Sequence, residues 1–347
     1  MTDSYADKLK DIPLYRPGKP PLTYFDSEYL AEFSKTWGRS WGGQSSYARL
    51  RAVIVHRPGP EAAWGDVDPD YLNLPTGMPN LSRMQAQHDE FVKVLRENSV
   101  EVLSLDAPSP VLGTYGIPLR SATYTHETLM VKGGAIICRC APAYKRGLEY
   151  YQSRTIGALG CPILYTVHGQ GFFESSNAVW LDKKSLPLGI SQRSNQEGVR
   201  QVSSILQEFG VEDIHIVHLP GPLNIRRAQT GSGGGAFHLD MVFGVAAPKL
   251  GVIYPGCVGY EFIDYLLHKK NFDLIEIPEE EVNGCPSNFL VIEPGKLIMP
   301  AGNPTVTAEL RKRGITVIEI DLSEFTNAGG GPTCMTVPLI RDEEKDN

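Results

Sequence analysis

The sequence predicts an α/β fold built from five successive ββαβ units. The first observation is a transition that occurs five times: an amphipathic, helix-like stretch ends in polar or glycine residues, and a short strand of β-branched residues follows. The second is the presence of strand-like segments before each helix. Because the transitions recur roughly every 40–60 residues, we interpret them as internal repeats.

The strands of each unit can be assigned in order along the chain. The segments predicted as strands before the helices are 51–55, 133–137, 178–180 with 187–190, 241–245 with 251–254, and 289–292 with 296–299. The segments predicted as strands after the helices are 100–103, 162–165, 214–217, 274–277 and 315–320. The terminal segment 335–340 can supply a missing strand and close the ring. A closed ring leaves one central mouth where residues distant in sequence meet.

The composition is that of a globular protein and excludes several functional classes. The 347 residues, 41% of them hydrophobic, suffice for one large core or two smaller ones. The net charge is −7 and long basic runs are absent, so we predict no nucleic-acid partner, and the acidic surface weakly favours a cationic ligand. No apolar run approaches the length of a membrane span, and polar residues follow Met1. We therefore expect a soluble, cytoplasmic protein without a membrane partner; whether it forms a homo-oligomer stays open.

The N-terminal region differs from the rest of the chain. Segment 12–21 is proline-rich and cannot form a helix or a central strand. We interpret residues 1–45 as an arm or cap, and residues 46–347 as a single catalytic domain.

The cysteine pattern predicts neither disulfides nor a metal site. The spacing of the six cysteines, at 138, 140, 161, 257, 285 and 334, fits neither a disulfide framework nor paired zinc knuckles, and we expect no metal or other cofactor. Cys138 and Cys140 alternate onto one face of a strand, which favours a packing role.

Cys334 is the candidate nucleophile. It follows Gly329, Gly330 and Gly331, which permit a tight loop and a close approach by a ligand, and it precedes the terminal strand. The alternative is a buried cysteine beside a flexible loop.

Three further positions offer acid and base groups. His238 and Asp240 follow the glycine-rich stretch 231–235, and strand alternation puts both on one face; the alternative is an exposed strand beside a mobile loop. Glu174 and Glu127 each stand beside an apolar strand, where an acid can also be a simple turn or strand-end residue. The functional interpretation gains weight because each candidate occupies a similar position in a different unit. Together they supply a nucleophile, a general acid/base and carboxylates for a cation.

The sequence resembles a known group of enzymes. Residues 237–240, Phe-His-Leu-Asp, resemble the His-x-Asp element of arginine deiminases and amidinotransferases, and 330–336 resembles their nucleophile loop. Segments 189–195, 288–295 and 310–314 also resemble family segments. The resemblance is to the guanidine-modifying enzyme superfamily, which includes dimethylarginine dimethylaminohydrolases, and it covers about residues 46–343. It implies a pentein-type, five-bladed ββαβ propeller.

The resemblance also implies roles for individual residues. Glu127 and Asp240 are expected to bind the guanidinium nitrogens, and Arg146 and Arg193 to anchor a substrate carboxylate. The alternative for Arg146 is a charge on a helix surface. The alternative for Arg193 is a residue at a helix N-terminus. Asn177 stands where the family usually has an aspartate, so we expect it to keep a hydrogen-bonding role without the charge.

The predicted reaction is hydrolysis of a guanidino compound. In this hypothesis the Cys334 thiolate attacks the guanidinium carbon, His238 held by Glu174 protonates the departing amine, and water then releases a urea-type product. Glu174 favours hydrolysis by analogy, since the transferases of the superfamily tend to have Asp there. The sequence leaves two alternatives: an amidinotransferase, in which an amine replaces the water, and a non-catalytic protein that binds a guanidino ligand. Deiminases carry an arginine shortly before the nucleophile and this chain does not, so the substrate's tail is not identified.

Overall fold

The computed structural model describes residues 18–19, 28–63, 77–221 and 237–344. Most of the proline-rich segment 12–21, and all of the glycine-rich stretch 231–235, lie outside these residues. The chain divides into two compact units, 1–39 and 40–347. This division falls earlier than the boundary expected after residue 45, because Gly42 bridges Ile340 and donates a hydrogen bond to the Leu339 carbonyl at 2.7 Å. In the described part of the chain, no helix has the length and apolar character needed to cross a membrane.

Helices and strands alternate along the larger unit. The helices, including one in the smaller unit, are α1 Tyr29–Trp37, α2 Leu81–Glu97, α3 Leu148–Ala158, α4 Gln196–Glu208, α5 Tyr260–Asp264, α6 Pro304–Lys312 and α7 Ser323–Asn327. Helix α5 continues into a π-helical turn, Tyr265–Lys269. The strands are β1 Leu50–Val55, β2 Glu101–Ser104, β3 Thr128–Val131, β4 Gly134–Ile137, β5 Ile163–Thr166, β6 Ser185–Ile190, β7 Asp213–His218, β8 Phe243–Ala247, β9 Leu250–Ile253, β10 Asp273–Glu276, β11 Leu290–Glu293, β12 Lys296–Pro300, β13 Thr316–Ile320 and β14 Val337–Arg341.

Within the described residues, these strands form five small sheets with one recurring topology. In the second unit, β3 pairs antiparallel with β4, the chain continues through α3, and β5 returns parallel to β4. The fourth unit (β8, β9, α5, β10) and the fifth (β11, β12, α6, β13) repeat this order. These three units are therefore ββαβ, and the fold is mixed α/β as the sequence predicts.

The first and third units deviate from this order in informative ways. The first takes its antiparallel strand from the end of the chain: β14 pairs with β1, and β1 pairs in parallel with β2. The terminal strand begins at Val337, two residues later than predicted. In the third unit, β6 and β7 form a two-stranded parallel sheet. The hairpin expected from 178–180 and 187–190 is reduced to an isolated bridge between Ala178 and Leu188.

The helix ends show the repeat most directly. Each unit has one residue with a positive φ between its helix and its last strand: Ser99 (61°), Gly160 (79°), Gly210 (86°), Asn271 (54°) and Gly314 (82°). Glycine adopts this left-handed conformation without strain, and asparagine tolerates it better than most residues. This explains why the predicted transitions combine glycine with small polar residues.

The first two strands of each unit are more buried than the last strand. Every residue of β3, β4 and β9 is buried, whereas the last strands, such as β2 and β5, are largely exposed or half-buried. The candidate site residues precede the first strands, so a rigid, buried framework holds them.

Candidate active site

The candidate residues occupy equivalent positions in the five units. Each lies shortly before the first strand of its unit: Cys334 before β14, Glu127 before β3, Glu174 before the Ala178 bridge, His238 and Asp240 before β8, and Asn288 before β11. All six are buried, with at most 8% of each residue exposed. The similarity of position inferred from the sequence is therefore present in the structure, and Asn288 adds a fifth unit to it.

A closed circuit of hydrogen bonds links these strand starts. Each bond joins one unit to the next: His126 N to Cys334 O (3.1 Å), Ser175 Oγ to His126 O (2.6 Å), Leu239 N to Asn177 Oδ1 (3.0 Å), Ser287 Oγ to Asp240 O (3.2 Å), and Cys334 N to Asn288 Oδ1 (3.1 Å). The circuit passes through all five units and returns to its start. Residues more than 200 positions apart in sequence are therefore held in one small region.

Cys334 lies in a turn, 332–335, immediately before β14. The Asn288 side chain fixes this turn, because its Oδ1 accepts hydrogen bonds from the backbone N–H groups of both Gly331 and Cys334 at 3.1 Å. Glycine is required at 330, since a Cβ there would collide with the ring of Tyr124. The thiol sulfur lies 3.9 Å from Met241 Sδ. The glycine-rich loop thus serves close packing, which holds the thiol in a defined place.

The interpretation of 236–240 as the start of a strand is wrong. His238 is extended (φ −130°, ψ 144°), but Leu239–Met241 form a 3-10 turn, and β8 begins only at Phe243. The turn buries Leu239 in the core, while His238 and Asp240 both enter the site. His238 and Asp240 therefore lie in the same site because of this turn and not because of strand alternation.

A buried chain of charged groups connects the acids and the base. His238 Nε2 donates to Glu174 Oε2 at 2.8 Å, and the Lys145 ammonium donates to the same oxygen at 2.6 Å. Lys145 also contacts Glu127 Oε1. The other oxygen of Glu174 accepts the backbone N–H of Ala141 at 3.1 Å. Because Nε2 of His238 is committed to Glu174, Nδ1 is the ring nitrogen left to exchange protons with another group.

The charges of this chain set its protonation state. Burial alone opposes the ionisation of Glu174, but Lys145 and the His238 hydrogen bond outweigh it and hold the pKa of Glu174 below its usual value. Burial lowers the pKa of His238 to about 4, although Glu174 opposes this change. At neutral pH the site therefore contains a neutral imidazole beside an ionised carboxylate, the pair needed for a general base.

Asp240 and Glu127 leave acceptor atoms without donors. Among the described residues, Asp240 Oδ1, Asp240 Oδ2 and Glu127 Oε2 are buried and have no well-formed hydrogen bond. Burial raises the pKa of Asp240 to about 7, although Ser176 and Asn288 partly oppose the rise. Burial also raises the pKa of the Cys334 thiol, and the nearby Asp240 carboxylate adds to this effect. Unpaired buried acceptors are costly, and a ligand with several N–H donors would satisfy them.

The two candidate arginines have different environments. Arg193 is buried between the rings of Tyr144 and Phe237, with its guanidinium carbon 5.6 and 5.3 Å from the ring centroids. It donates to Tyr144 Oη at 2.8 Å and approaches Glu174 Oε1 at 4.0 Å. Arg146 is half-buried and donates to the Ala141 carbonyl at 3.3 Å. Arg193 is therefore part of the charged cluster, whereas a substrate contact by either arginine stays a prediction.

Asn177 is used by the protein itself. Its Nδ2 donates to Ser194 Oγ at 2.9 Å, and its Oδ1 accepts the backbone N–H of Leu239 at 3.0 Å. These bonds fix the turn that follows His238. Asn177 is fully buried, and its contact with a substrate stays a prediction.

Two residues of the site were not found from the sequence. Lys145 stands beside Arg146 in what looks like an ordinary charged surface segment, and nothing local marks it as buried. Asn288 could have been found from its equivalent position before the first strand of the fifth unit.

One group of potential metal ligands occurs among the described residues. Ligand atoms of Glu127, Cys140 and Glu174 lie within 4.8 Å of one another. Because the Lys145 ammonium already binds both carboxylates, we assign the group to ion pairing and not to a metal. Cys138 is fully buried in a hydrophobic cluster, as a packing role requires.

A cavity of about 90 Å³ adjoins the site. Asp240, His126 and Thr336 line the part next to the site, and Ser45, Trp180 and Arg341 are also among its lining residues. Cys334, Glu174 and His238 are not among them, so the cavity adjoins the Asp240 carboxylate and does not surround the thiol.

We expect Asn288→Ala to loosen the Cys334 turn. The substitution removes the acceptor for two buried N–H groups and should lower the free energy of unfolding by about 2–4 kcal/mol. It should also accelerate alkylation of Cys334, measured by mass spectrometry of the Cys334 peptide after timed exposure to iodoacetamide.

Asn303→Ala is the matched control for this prediction. Asn303 is another fully buried amide, and it donates to the carbonyls of Gly284 and Pro300, away from the Cys334 turn. It should lower stability and leave the alkylation rate of Cys334 unchanged. Equal acceleration in both variants would show that Asn288 has no specific role in the turn.

Comparison with known proteins agrees with this geometry. The arginine deiminase family model matches residues 259–341, which include the Cys334 turn. The dimethylarginine dimethylaminohydrolase of Pseudomonas aeruginosa is 26% identical and the match covers 75% of this chain and 90% of that protein. The chain is similar in sequence to arginine deiminases and to this dimethylarginine dimethylaminohydrolase.

The proteins to which this chain is similar differ in their reactions. The 2-nitroimidazole nitrohydrolase of Mycobacterium sp. is 26% identical, and the match covers 97% of this chain and 93% of that protein. Among solved structures, an amidinotransferase of the saxitoxin pathway from Microseira wollei superposes with a TM-score of 0.71 at 15% identity, covering 88% of this chain and 99% of that one. The superfamily thus contains guanidino-group hydrolases and amidinotransferases, and the fold alone does not distinguish them.

Proposed function

We propose that this protein is a cysteine-dependent hydrolase of a guanidino compound. The observation that carries the proposal is the set of three buried carboxylate oxygens without donors, on Asp240 and Glu127, in the same site as Cys334 and the His238–Glu174 pair. A planar guanidinium carries N–H donors on every side and one positive charge, so it satisfies both the missing hydrogen bonds and the charge.

The resting thiol is protonated, and the substrate activates it. A bound guanidinium places a positive charge beside Cys334, which lowers the pKa of the thiol, and neutral His238 accepts the proton at Nδ1. The Cys334 sulfur then forms a bond to the guanidinium carbon, and the C=N electron pair moves onto nitrogen. Asp240 and Glu127 keep the tetrahedral species oriented.

Collapse of this species gives the first product. The C–N bond to the departing group breaks, and His238 returns its proton to the leaving nitrogen, releasing ammonia or an amine. An amidino-thioether remains on Cys334. His238 next removes a proton from water, the water oxygen bonds to the amidino carbon, and the C–S bond breaks. The products are a urea-type compound and the thiolate.

We also propose that the five ββαβ units form a closed five-bladed propeller around this site. The hydrogen-bond circuit through all five strand starts supports the proposal, as does the pairing of β14 with β1. A cyclic arrangement explains why equivalent positions in every unit face one mouth.

Substrate screening followed by isotope labelling tests the proposed reaction. Arginine, N-methylated arginines, agmatine and 2-nitroimidazole form the panel. The last is included because a nitrohydrolase matches nearly the whole chain, and because C2 of 2-nitroimidazole, like a guanidine carbon, is bonded to three nitrogens. With the active compound, a single turnover in oxygen-18 water should place one label in the product without any added amine.

The amidinotransferase is the second candidate, and the fold neighbour from Microseira wollei favours it. A transferase must deprotonate its amine acceptor and must bind it tightly enough to exclude water. An adduct on Cys334 that persists in water, and disappears only when glycine or ornithine is added, would establish the transferase and overturn the hydrolase. Absence of turnover or adduct with every guanidino compound would overturn both.

A further inference from the structure

Lys145 lies at the centre of the charged cluster but has no part in the reaction described above. It ends the short 3-10 turn Ala143–Lys145 and is buried, with 6% of the residue exposed. Its ammonium contacts Glu127 Oε1 and lies 2.6 Å from Glu174 Oε2. The second contact matters most, because the same Glu174 oxygen accepts the His238 ring N–H at 2.8 Å.

Lys145 restricts the position of the Glu174 carboxylate. One oxygen is shared by Lys145 and His238, and the other accepts the Ala141 N–H at 3.1 Å with Arg193 at 4.0 Å. Without Lys145, Glu174 would lose its shortest contact, and Glu127 would lose its ion-pair partner. Two buried carboxylates would then repel each other with a single arginine nearby.

Lys145 also contributes a positive charge near His238. The Lys145 ammonium and the Arg193 guanidinium face the ionised Glu174 carboxylate, whereas burial raises the pKa of Glu127 to about 8. Positive charges this near to the imidazole disfavour its protonation. The two cations therefore favour the neutral form of His238.

We propose that Lys145 is a positioning residue that clamps Glu174 against His238, ties both to Glu127, and keeps His238 in the neutral form with which the reaction begins. This inference rests on the proposed function, in which neutral His238 accepts the thiol proton. Lys145 acts through Glu174 and Glu127 and touches no reacting atom. The ionisable groups that face Lys145 and His238 are Glu127, Glu174, Cys140, Arg193 and Asp240.

The experiment follows the ionisation of His238 directly. Proteins labelled with carbon-13 histidine are titrated by NMR from pH 4.5 to 8, and the His238 signal is assigned by its loss in His238→Gln. In the wild type, the imidazole should be largely neutral across this range, with a midpoint near its lower end. In Lys145→Met and Lys145→Gln, the midpoint should rise by at least about one pH unit, since a neighbouring charge is worth about 1–3 units. Lys145→Arg restores the charge and should return the midpoint towards the wild-type value.

Lys270→Met is the matched control. Lys270 is also largely buried and pairs with Asp213 at 2.7 Å and Ser185 at 2.6 Å, outside this cluster. Its loss should leave the His238 midpoint unchanged. Lys145→Gln keeps a hydrogen-bond donor on a side chain of similar length. It replaces Lys145→Met in the titration if Lys145→Met does not fold.

The readout needs no substrate, so it separates this inference from the proposed function. If the midpoint shifts but no guanidino compound is turned over, Lys145 keeps its proposed role and the hydrolase assignment is excluded. For an active enzyme, the acidic limb of the kcat/KM profile should move to higher pH together with the NMR midpoint. A midpoint within about 0.3 units of wild type in both folded, uncharged variants would overturn the inference.

Discussion

Replacing Cys334 with alanine should reduce kcat by at least about four orders of magnitude, the usual scale for loss of a covalent nucleophile. Binding of the guanidino ligand should persist, because the acceptors on Asp240 and Glu127 remain. Isothermal titration calorimetry measures the binding. Acid-quenched single turnovers of the wild type, analysed by denaturing mass spectrometry, should show one adduct on the Cys334 peptide.

Cys257→Ala is the control for this prediction. Cys257 is half-buried, precedes α5 and takes no part in the hydrogen-bond circuit, so its loss should leave turnover and adduct formation intact. An adduct on Cys257 or Cys285 would show that the nucleophile has been assigned to the wrong cysteine. Full turnover by Cys334→Ala would exclude covalent catalysis through this residue.

The second large effect is expected from Asp240→Asn. The substitution keeps the size of the side chain and removes its charge, so binding of a guanidinium should weaken by about 1.5–3 kcal/mol, the range for charge-assisted hydrogen bonds. Because the tetrahedral species needs the same charge, kcat should fall as well. In the wild type, affinity for the cation should rise as the pH increases through about 7, where Asp240 ionises. The variant should lose this dependence.

Although Asp240→Asn should weaken binding and lower kcat, it should stabilise the folded protein at alkaline pH. Burial raises the pKa of Asp240 to about 7 in the folded protein, whereas an unfolded aspartate titrates near its ordinary value of about 4. Between these values the folded state binds more protons, so the Asp240 contribution to stability declines as pH rises from about 4 to 7. At pH 8 the variant should therefore be more stable than the wild type by about 1–3 kcal/mol, and near pH 5 the difference should be smaller. Urea unfolding of the ligand-free proteins at both pH values measures this.

Asp213→Asn provides the matched comparison. Asp213 is a paired carboxylate that accepts from Lys270 at 2.7 Å and from Tyr265 Oη at 2.8 Å. The same substitution there should lower stability and leave kcat/KM unchanged. If Asp240→Asn leaves kcat/KM unchanged, Asp240 does not belong to the site.

Much of the fold was predictable because its signals are local. Helix ends such as Gly160 and Gly314 require a left-handed residue, and a β-branched strand follows each one, so periodicity and turn chemistry identify the units. The terminal strand was predictable for a different reason: segment 335–340 was available to supply a missing strand. The structure shows that it pairs with β1. The third unit was predicted less well, because residues 178–180 make a single bridge where a regular hairpin was expected.

The site was predictable where equivalent positions in the repeats carried chemistry. Glu127, Glu174, the His238–Asp240 pair and Cys334 were selected because they occupy similar positions in different units, and the structure brings these positions together. The reasoning about His238 and Asp240 used strand alternation, which was incorrect, since a 3-10 turn follows His238. The repeat position, and not the predicted local conformation, places both residues beside the other candidates.

By itself, the sequence determined the order of helices and strands, the repeat, and the residue types available for guanidine chemistry, since backbone propensity and apolar periodicity act over a few residues. Only the tertiary structure decided which charges meet. Lys145 is a surface-like residue in the sequence, and its burial between Glu127 and Glu174 follows from how three separate segments converge. The sequence likewise could not predict that the Asp240 carboxylate oxygens lack hydrogen-bond donors. The energy of a buried charge depends on all the groups around it, and distant parts of the chain supply these groups.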